Sequence, residues 1–189
     1  LQTVFIPESV QKIGKYAFGS CSSLTEITLP KDLKEIEYAA FSECRMLRKA
    51  VLPEGLEKIG RLAFQVCYAL EDIVIPETVT EIGEHAFAYC RAIKKINIPS
   101  GIKYLYTTTF TNCIALEEIE FSEGLEEIGH ECFKNCYSLK ELNFPESLVC
   151  IGNYAFDGCN ALTEITFSEN MKSIYGYAFA NCSQLKFAY

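Results

Sequence analysis

A strict spacing of 23 residues runs through the chain and limits what it can fold into. Eight phenylalanines occupy one register of this spacing and eight cysteines occupy another. They are Phe18, Phe41, Phe64, Phe87, Phe110, Phe133, Phe156 and Phe179, with Cys21, Cys44, Cys67, Cys90, Cys113, Cys136, Cys159 and Cys182. A unit of this length cannot bury an apolar face alone, because the loss of backbone freedom outweighs its few buried groups. The period therefore predicts a solenoid of stacked units.

One unit reads L-x-x-I-x-L-P-x-x-V-x-x-I-G-x-x-A-F-x-x-C-x-x, and its pattern predicts three segments. Positions four and six, such as Ile73 and Ile75, alternate as in a strand, and the proline at position seven ends that strand. Apolar positions ten and thirteen return inward and indicate a short second strand. Ala86 and Cys90 are four residues apart, which predicts a single helical turn on the remaining side.

The 23-residue spacing also predicts the domain organisation. Eight units fill residues 1–184 and residues 185–189 begin a ninth, so we expect residues 1–189 to form a single solenoid domain. Because the chain opens in the middle of the pattern, we expect it to be a piece of a longer protein. A terminal unit without a polar capping repeat exposes an apolar flank, which could drive end-to-end self-association of this piece. Unit five departs most from the pattern, with Leu105-Tyr106 for Ile-Gly and Thr109 for Ala.

The unit resembles the BspA-like, or Treponema-type, leucine-rich repeat of bacterial surface proteins. The residues that carry the resemblance are L-x-x-I-x-L-P followed by I-x-x-x-A-F-x-x-C, and they recur along the whole chain. The resemblance implies a right-handed solenoid with a parallel sheet on its concave side and with the short second strands and helical turns on the convex side. It also implies a cell-surface or secreted protein whose role is adhesion to host proteins or other cells.

Charge and hydropathy exclude some classes of partner. The chain has 17 basic and 25 acidic residues, a net charge of −8, and no cluster of lysine and arginine. A phosphate backbone or an anionic membrane surface attracts basic patches, so we expect no nucleic-acid binding. No run of residues approaches the roughly 18 apolar residues of a membrane span, so we expect no membrane insertion.

The cysteine spacing favours free thiols over disulfides. Equivalent residues of stacked units lie about 4.8 Å apart with parallel side chains, whereas a disulfide needs β-carbons that converge to about 3.5–4.5 Å. The eight periodic cysteines are therefore predicted to form a buried column. Cys150 falls at a variable position and is predicted to be the one exposed thiol, either reactive or an ordinary surface cysteine.

Motifs for catalysis and metal binding are missing from the sequence. The only two histidines, His85 and His130, lie in different units, and no nucleophile elbow, phosphate loop or dinucleotide fingerprint occurs. Residues 130–136 combine a histidine with Cys132 and Cys136, but both thiols are predicted to point inward. We therefore expect no catalytic residue, no metal site and no cofactor, and we expect that the protein is not an enzyme.

Position eight of the unit forms a largely acidic column along one rim. Its members are Glu8, Lys31, Glu54, Glu77, Ser100, Glu123, Glu146 and Glu169. Two interpretations stay open, a rim that binds cations and a solvated edge that keeps the rod soluble.

Positions three and five of the first strand should face solvent on the concave sheet. The predicted partner-binding strip there consists of Lys49, Val51, Asp72, Val74, Lys95, Asn97, Glu118, Glu120, Glu141 and Asn143. These residues could instead be ordinary solvent positions. A second group, Tyr68, Tyr89, Tyr137, Tyr154 and Tyr177, could serve recognition or could pack half-buried between units.

The sequence thus favours a non-enzymatic module that binds a protein, such as a host or cell-surface ligand. Two alternatives stay open. The solenoid could be a structural spacer that carries another domain. It could also be an intracellular protein-interaction scaffold, which would fit its unpaired thiols.

Overall fold

The chain folds into a stack of short parallel strands joined by turns. The computed structural model describes residues 2–188, and in this range there are fifteen strands and no helix. The strands are β1 (Lys12–Ile13), β2 (Glu26–Thr28), β3 (Glu35–Ile36), β4 (Lys49–Val51), β5 (Lys58–Ile59), β6 (Glu81–Ile82), β7 (Lys95–Ile98), β8 (Tyr104–Leu105), β9 (Glu118–Phe121), β10 (Glu127–Ile128), β11 (Glu141–Asn143), β12 (Cys150–Ile151), β13 (Glu164–Thr166), β14 (Ser173–Ile174) and β15 (Phe187–Ala188).

Each strand pairs in parallel with the equivalent strand of a neighbouring unit. In β7 and β9, for example, Lys95 is the partner of Glu118 and Ile96 is the partner of Ile119, 23 residues further on. The first strands of the units form sheets in the orders β2-β4, β7-β9 and β11-β13-β15. The second strands form β1-β3-β5-β6 and β8-β10-β12-β14. This arrangement confirms the predicted solenoid of stacked units with parallel strands.

The periodic phenylalanines form a continuous column inside the solenoid. Rings of successive units stack face to face from Phe18 to Phe179, and their centroids are 5.2–5.5 Å apart. Phe87, in the middle, is buried and lies 5.5 Å from Phe64 and 5.4 Å from Phe110. Apolar burial of this kind is the main favourable term in folding, so the column confirms the 23-residue coil.

The predicted helical turns are wrong, because the backbone of the A-F-x-x-C segment takes another path. Two positions in every unit, sixteen and twenty, have positive φ, as at Leu62 (φ 61°) and Val66 (φ 62°). Alternate amides bond within the turn and along the stack: Ala88 N donates to His85 O, whereas Phe87 N donates to Thr109 O of the next unit at 2.9 Å. A helix needs uninterrupted right-handed residues, so the spacing of Ala86 and Cys90 identified two inward positions but not the chain path between them.

Both strand ladders stop between residues 70–92 and residues 93–115, a boundary we call the mid-stack junction. In the described part of the chain no strand pairing joins residues 72–75 to β7 or β6 to β8, although the first-strand ladder is also divided between β9 and β11. The Asn97 side chain takes over part of the ladder: its Oδ1 accepts from Ile75 N at 2.9 Å, and its Nδ2 donates to Ile75 O at 2.6 Å. The turn ladder through Phe87 and Tyr89 crosses the junction unbroken.

Candidate binding surface

The first-strand side presents the residues of the predicted strip on one surface, which we call the strand face. In β4 the exposed residues Lys49 and Val51 flank the buried Ala50, and in β11 Glu141 and Asn143 flank Leu142. This alternation places positions three and five outward in each unit. The strand face consists of Lys49, Val51, Asp72, Val74, Lys95, Asn97, Glu118, Glu120, Glu141 and Asn143, of which Asn97 alone is half-buried.

Two valines give the strand face an apolar centre. The exposed fraction is 40% for Val51 and 68% for Val74, and the two occupy the same position in successive units. Most neighbouring positions on this face are charged or polar. An apolar centre with a polar rim is the usual anatomy of a protein interface.

Ion pairs that join successive units hold the charges around the valines. Lys49 Nζ lies 3.0 Å from Asp72 Oδ2, and Lys95 Nζ lies 2.6 Å from Glu120 Oε1 and 3.1 Å from Glu118 Oε1. Hydrogen bonds to Glu120 and then to Glu118 raise the pKa of Lys95, and the hydrogen bond to Asp72 raises the pKa of Lys49. The pairs are solvent-exposed, so they stabilise the fold little and fix mainly the pattern of charge.

A groove opens on the strand face at the mid-stack junction. It has a volume of about 480 Å³, which is in the range of ligand pockets. Asp72, Val74, Lys95, Asn97 and Glu120 line it together with other residues of the same three units. The groove lies where residues 73–75 form no strand pairing with β7, and Val74 lines it, so the groove and the valine patch lie side by side.

The acidic column at position eight has a structural role that the sequence did not reveal. Glu8 Oε2 accepts a hydrogen bond from the Lys31 amide at 2.9 Å, and Glu77 Oε2 accepts one from the Ser100 amide at 3.2 Å. Glu123 does the same for the Glu146 amide at 3.2 Å. Each of these carboxylates therefore caps the turn of the following unit. Within residues 2–188 no group of three or more His, Cys, Asp and Glu side chains is placed to hold a metal ion.

The buried cysteines also form bonds along the stack. Each thiol of the column from Cys44 to Cys182 donates to the carbonyl of the phenylalanine in the preceding unit, as from Cys90 Sγ to Phe64 O at 3.2 Å. Cysteine suits this position because its side chain is small and its thiol is a weak hydrogen-bond donor. Burial raises the pKa of Cys113 to about 12, so this thiol stays protonated at neutral pH. In residues 130–136, His130 is exposed, whereas Cys132 and Cys136 are buried as predicted.

The prediction that Cys150 is the one exposed thiol is wrong. Cys150 is half-buried in β12, and so are Cys21 and Cys182 at the two ends of the cysteine column. Burial has the largest effect on the pKa of Cys150 and raises it, and the nearby Glu127 carboxylate raises it further. The reason is the second-strand ladder, since Cys150 pairs there with Glu127 on one side and Ser173 on the other.

Thiol labelling is expected to divide the ten cysteines into two classes. We expect 5,5′-dithiobis(2-nitrobenzoic acid) to modify Cys21, Cys150 and Cys182 in the native protein, and all ten thiols in urea, since only an accessible thiolate reacts. The Cys150→Ser variant should lose one native equivalent, and Cys90→Ser should lose none. Fast native reaction of the seven buried thiols would contradict the buried column.

The tyrosines on the turn side pack mainly against neighbouring units. Tyr154 and Tyr177 stack with ring centroids 5.0 Å apart, and the Arg91 guanidinium lies 4.6 Å from the centre of the Tyr68 ring. Tyr137 and Tyr177 are exposed, whereas Tyr68, Tyr89 and Tyr154 are half-buried. The exposed tyrosines fit a role in recognition, and the half-buried tyrosines fit packing between units.

The family follows from a match over the whole sequence. The profile of the BspA type leucine rich repeat region, which holds six copies of the repeat, matches residues 1–117 and 103–189. The chain belongs to this family. Leucine-rich repeat solenoids of the BspA type are generally non-enzymatic folds for protein–protein interaction. The described residues include no helix that could cross a lipid bilayer.

Solved structures show the same fold. A leucine-rich repeat protein from Bacteroides ovatus is 30% identical, with a TM-score of 0.69, over 98% of this chain and 62% of its own. The Treponema pallidum leucine rich repeat protein is 25% identical, with a TM-score of 0.56, over 85% of this chain and 78% of its own. The pneumococcal vaccine antigen PcpA is 21% identical, with a TM-score of 0.60, over 99% of this chain and 67% of its own, and shows the fold alone. The chain thus spans about three fifths of the Bacteroides chain. No curated protein matches it.

Proposed function

We propose that this chain is a non-enzymatic protein-binding module of the adhesion type, and that it binds through the strand face. The observation that carries the proposal is the pair of exposed valines, Val51 and Val74, framed by ion pairs and adjoining the groove at the mid-stack junction. We take residues 1–189 as one solenoid domain of a longer cell-surface or secreted protein, as the BspA-type family suggests.

The charges of the strand face favour a partner with a basic patch. Glu118, Glu120 and Glu141 stand side by side beyond the valines, and the whole chain carries a net charge of −8. Charges at the rim of an interface steer association and set its salt dependence, whereas a buried apolar centre supplies more of the affinity. Binding should therefore weaken with added salt and depend most strongly on Val74.

The test uses immobilised extracellular-matrix glycoproteins as probes. We expect the wild-type chain to bind at least one of them and Val74→Asp to weaken that binding by about 30-fold, the size of a hot-spot loss of roughly 2 kcal/mol. Reversal of Glu118, Glu120 and Glu141 to lysine should weaken binding at low salt and invert its salt dependence, because lysines repel a basic partner. The matched control is Tyr16→Asp, which adds the same charge at an exposed aromatic residue of the turn side.

Two outcomes would count against the proposal. If Val74→Asp and Tyr16→Asp bound equally well, the partner would use another face. If the wild-type chain bound none of the glycoproteins at any salt concentration, the structural-spacer interpretation would be favoured instead. Circular dichroism of each variant separates loss of the surface from loss of the fold.

A further inference from the structure

The second-strand side carries two troughs with floors of bare backbone. Position fourteen of the unit holds, in order, Gly14, Glu37, Gly60, Gly83, Tyr106, Gly129, Gly152 and Tyr175. The first trough lies over Gly60 and Gly83 and has a volume of about 350 Å³. The second trough lies over Gly129 and Gly152 and has a volume of about 520 Å³. Tyr106 lines both and forms the wall between them.

The floors must be bare because the units approach each other closely there. A β-carbon on Gly152 would lie 2.8 Å from the backbone carbon of Gly129, and one on Gly129 would lie 2.7 Å from Leu105 O. No side chain can fill the troughs from below. The walls of both troughs are therefore formed by the side chains of residues that adjoin the glycines.

Tyrosine rings and hydrogen-bonding groups form these walls. Tyr106 and Tyr175 stand at the two ends of the second trough, and their exposed fractions are 44% and 53%. Its remaining side chains with polar ends include Tyr104, Glu127, His130 and Asn153. Exposed tyrosine rings thus meet donors and acceptors in one open groove.

The first trough repeats this combination with charged groups. Tyr38 and Tyr106 lie at its margins, and its rim carries the pairs Lys58–Glu81 at 2.9 Å and Arg61–Glu84 at 3.4 Å. Each pair offers a donor and an acceptor together. The carboxylates of both troughs and the net charge of −8 repel anions, which disfavours phosphates and acidic sugars.

We infer that the two troughs bind a neutral oligosaccharide that lies along the solenoid. A sugar ring has an apolar C–H face that stacks on tyrosine and hydroxyl groups that both donate and accept. The backbone floor offers an apolar peptide side chain no apolar group to pack on. Tyr106 and Tyr175 are three units apart, roughly 14 Å at 4.8 Å per unit, so an extended chain of sugars can contact successive rings. This site is separate from the strand face and does not depend on the proposed protein binding.

The test measures binding of neutral hexasaccharides of glucose, mannose, galactose and N-acetylglucosamine by calorimetry and on an array. Heparin and poly-lysine are included as an anionic and a cationic comparison. We expect at least one neutral hexasaccharide to bind saturably, and Tyr106→Ala and Tyr175→Ala each to weaken that binding by about tenfold. Tyr106→Phe should retain most of the affinity, because it keeps the ring.

Tyr137→Ala is the matched control, since it removes an equally exposed tyrosine outside both troughs. The inference is overturned if no neutral hexasaccharide binds, or if Tyr106→Ala has no larger effect than Tyr137→Ala. Binding of heparin or poly-lysine alone would overturn it too, since the site would then recognise charge. Val74→Asp should leave sugar binding unchanged, so this result and that for the strand face can fail separately.

Discussion

Replacement of Phe87 by alanine is expected to lower the free energy of unfolding by about 3–5 kcal/mol. Phe87 is fully buried, and its ring stacks between Phe64 and Phe110 at 5.5 and 5.4 Å. The shortened side chain would leave a cavity bounded by two rings. The turn-side hydrogen bonds from Phe64 N to Ala86 O and from Phe87 N to Thr109 O fix the spacing of these units, so the gap cannot close without breaking them.

Urea unfolding followed by far-ultraviolet circular dichroism measures this loss. Phe5→Ala is the matched control, because it makes the same deletion at a side chain that is 84% exposed, and a change within about 0.5 kcal/mol is expected there. If Phe87→Ala fails to fold, Phe87→Leu provides a smaller change of the same sign. Equal losses for Phe5 and Phe87 would show that the column is not the interior of the solenoid.

Replacement of Gly83 by alanine is expected to cost about 1–3 kcal/mol, although only one methyl group is added. The added β-carbon would clash with the Arg61 amide nitrogen and would lie 2.7 Å from the Arg61 α-carbon, which are both backbone atoms. The preceding unit would have to move away, and Gly83 N would then lose its hydrogen bond to Ile59 O.

Gly14→Ala is the control from the same position of the first unit. A β-carbon there meets only the Glu37 carboxylate at 3.7 Å, an ordinary contact, and φ is not positive. Alanine restricts the unfolded chain more than glycine does, so Gly14→Ala should be neutral or should stabilise by about 0.4–1 kcal/mol. Thermal unfolding of the two variants checks the opposite signs. A stabilised Gly83→Ala variant would contradict the close approach of the units.

The period alone predicted the interior of the solenoid. Inward-facing positions must hold apolar residues, and the sequence shows directly where such residues recur. The alternation around Ile73 and the spacing of the phenylalanines could therefore be assigned to the interior. The same alternation predicted that Lys49, Val51 and the other strip residues share one surface. Their role in binding stays a prediction.

The turn segment could not be predicted, because the next unit determines its backbone. Leu62 and Val66 are bulky residues that disfavour positive φ, yet both adopt it so that alternate amides can bond along the stack. Only Asn112, Asn135, Gly158 and Asn181 at position twenty gave a local signal for this conformation. The caps by Glu8 and Glu77 and the thiol bonds were missed for the same reason, since their partners lie 23 or 26 residues away.

Asn97 shows what a departure from the consensus can mean. The sequence marks unit five as irregular at Leu105-Tyr106 and Thr109, but it does not show that Asn97 bonds to the Ile75 backbone. That contact occurs where residues 73–75 form no strand pairing with β7. A prediction of it would require the spacing of the two units, which is a property of the assembled stack.

The mid-stack junction is expected to be the most flexible point of the solenoid. The stability of a repeat array is the sum of the stabilities of its units and of the couplings between neighbours. The coupling between residues 70–92 and 93–115 lacks backbone ladders on both strand sides and retains the one on the turn side. Bending and partial opening should therefore concentrate there, with the turn side as the pivot. Two stiff arms joined in this way would let the distance between Val74 and Lys95 vary, which would help the proposed binding surface fit partners of different curvature.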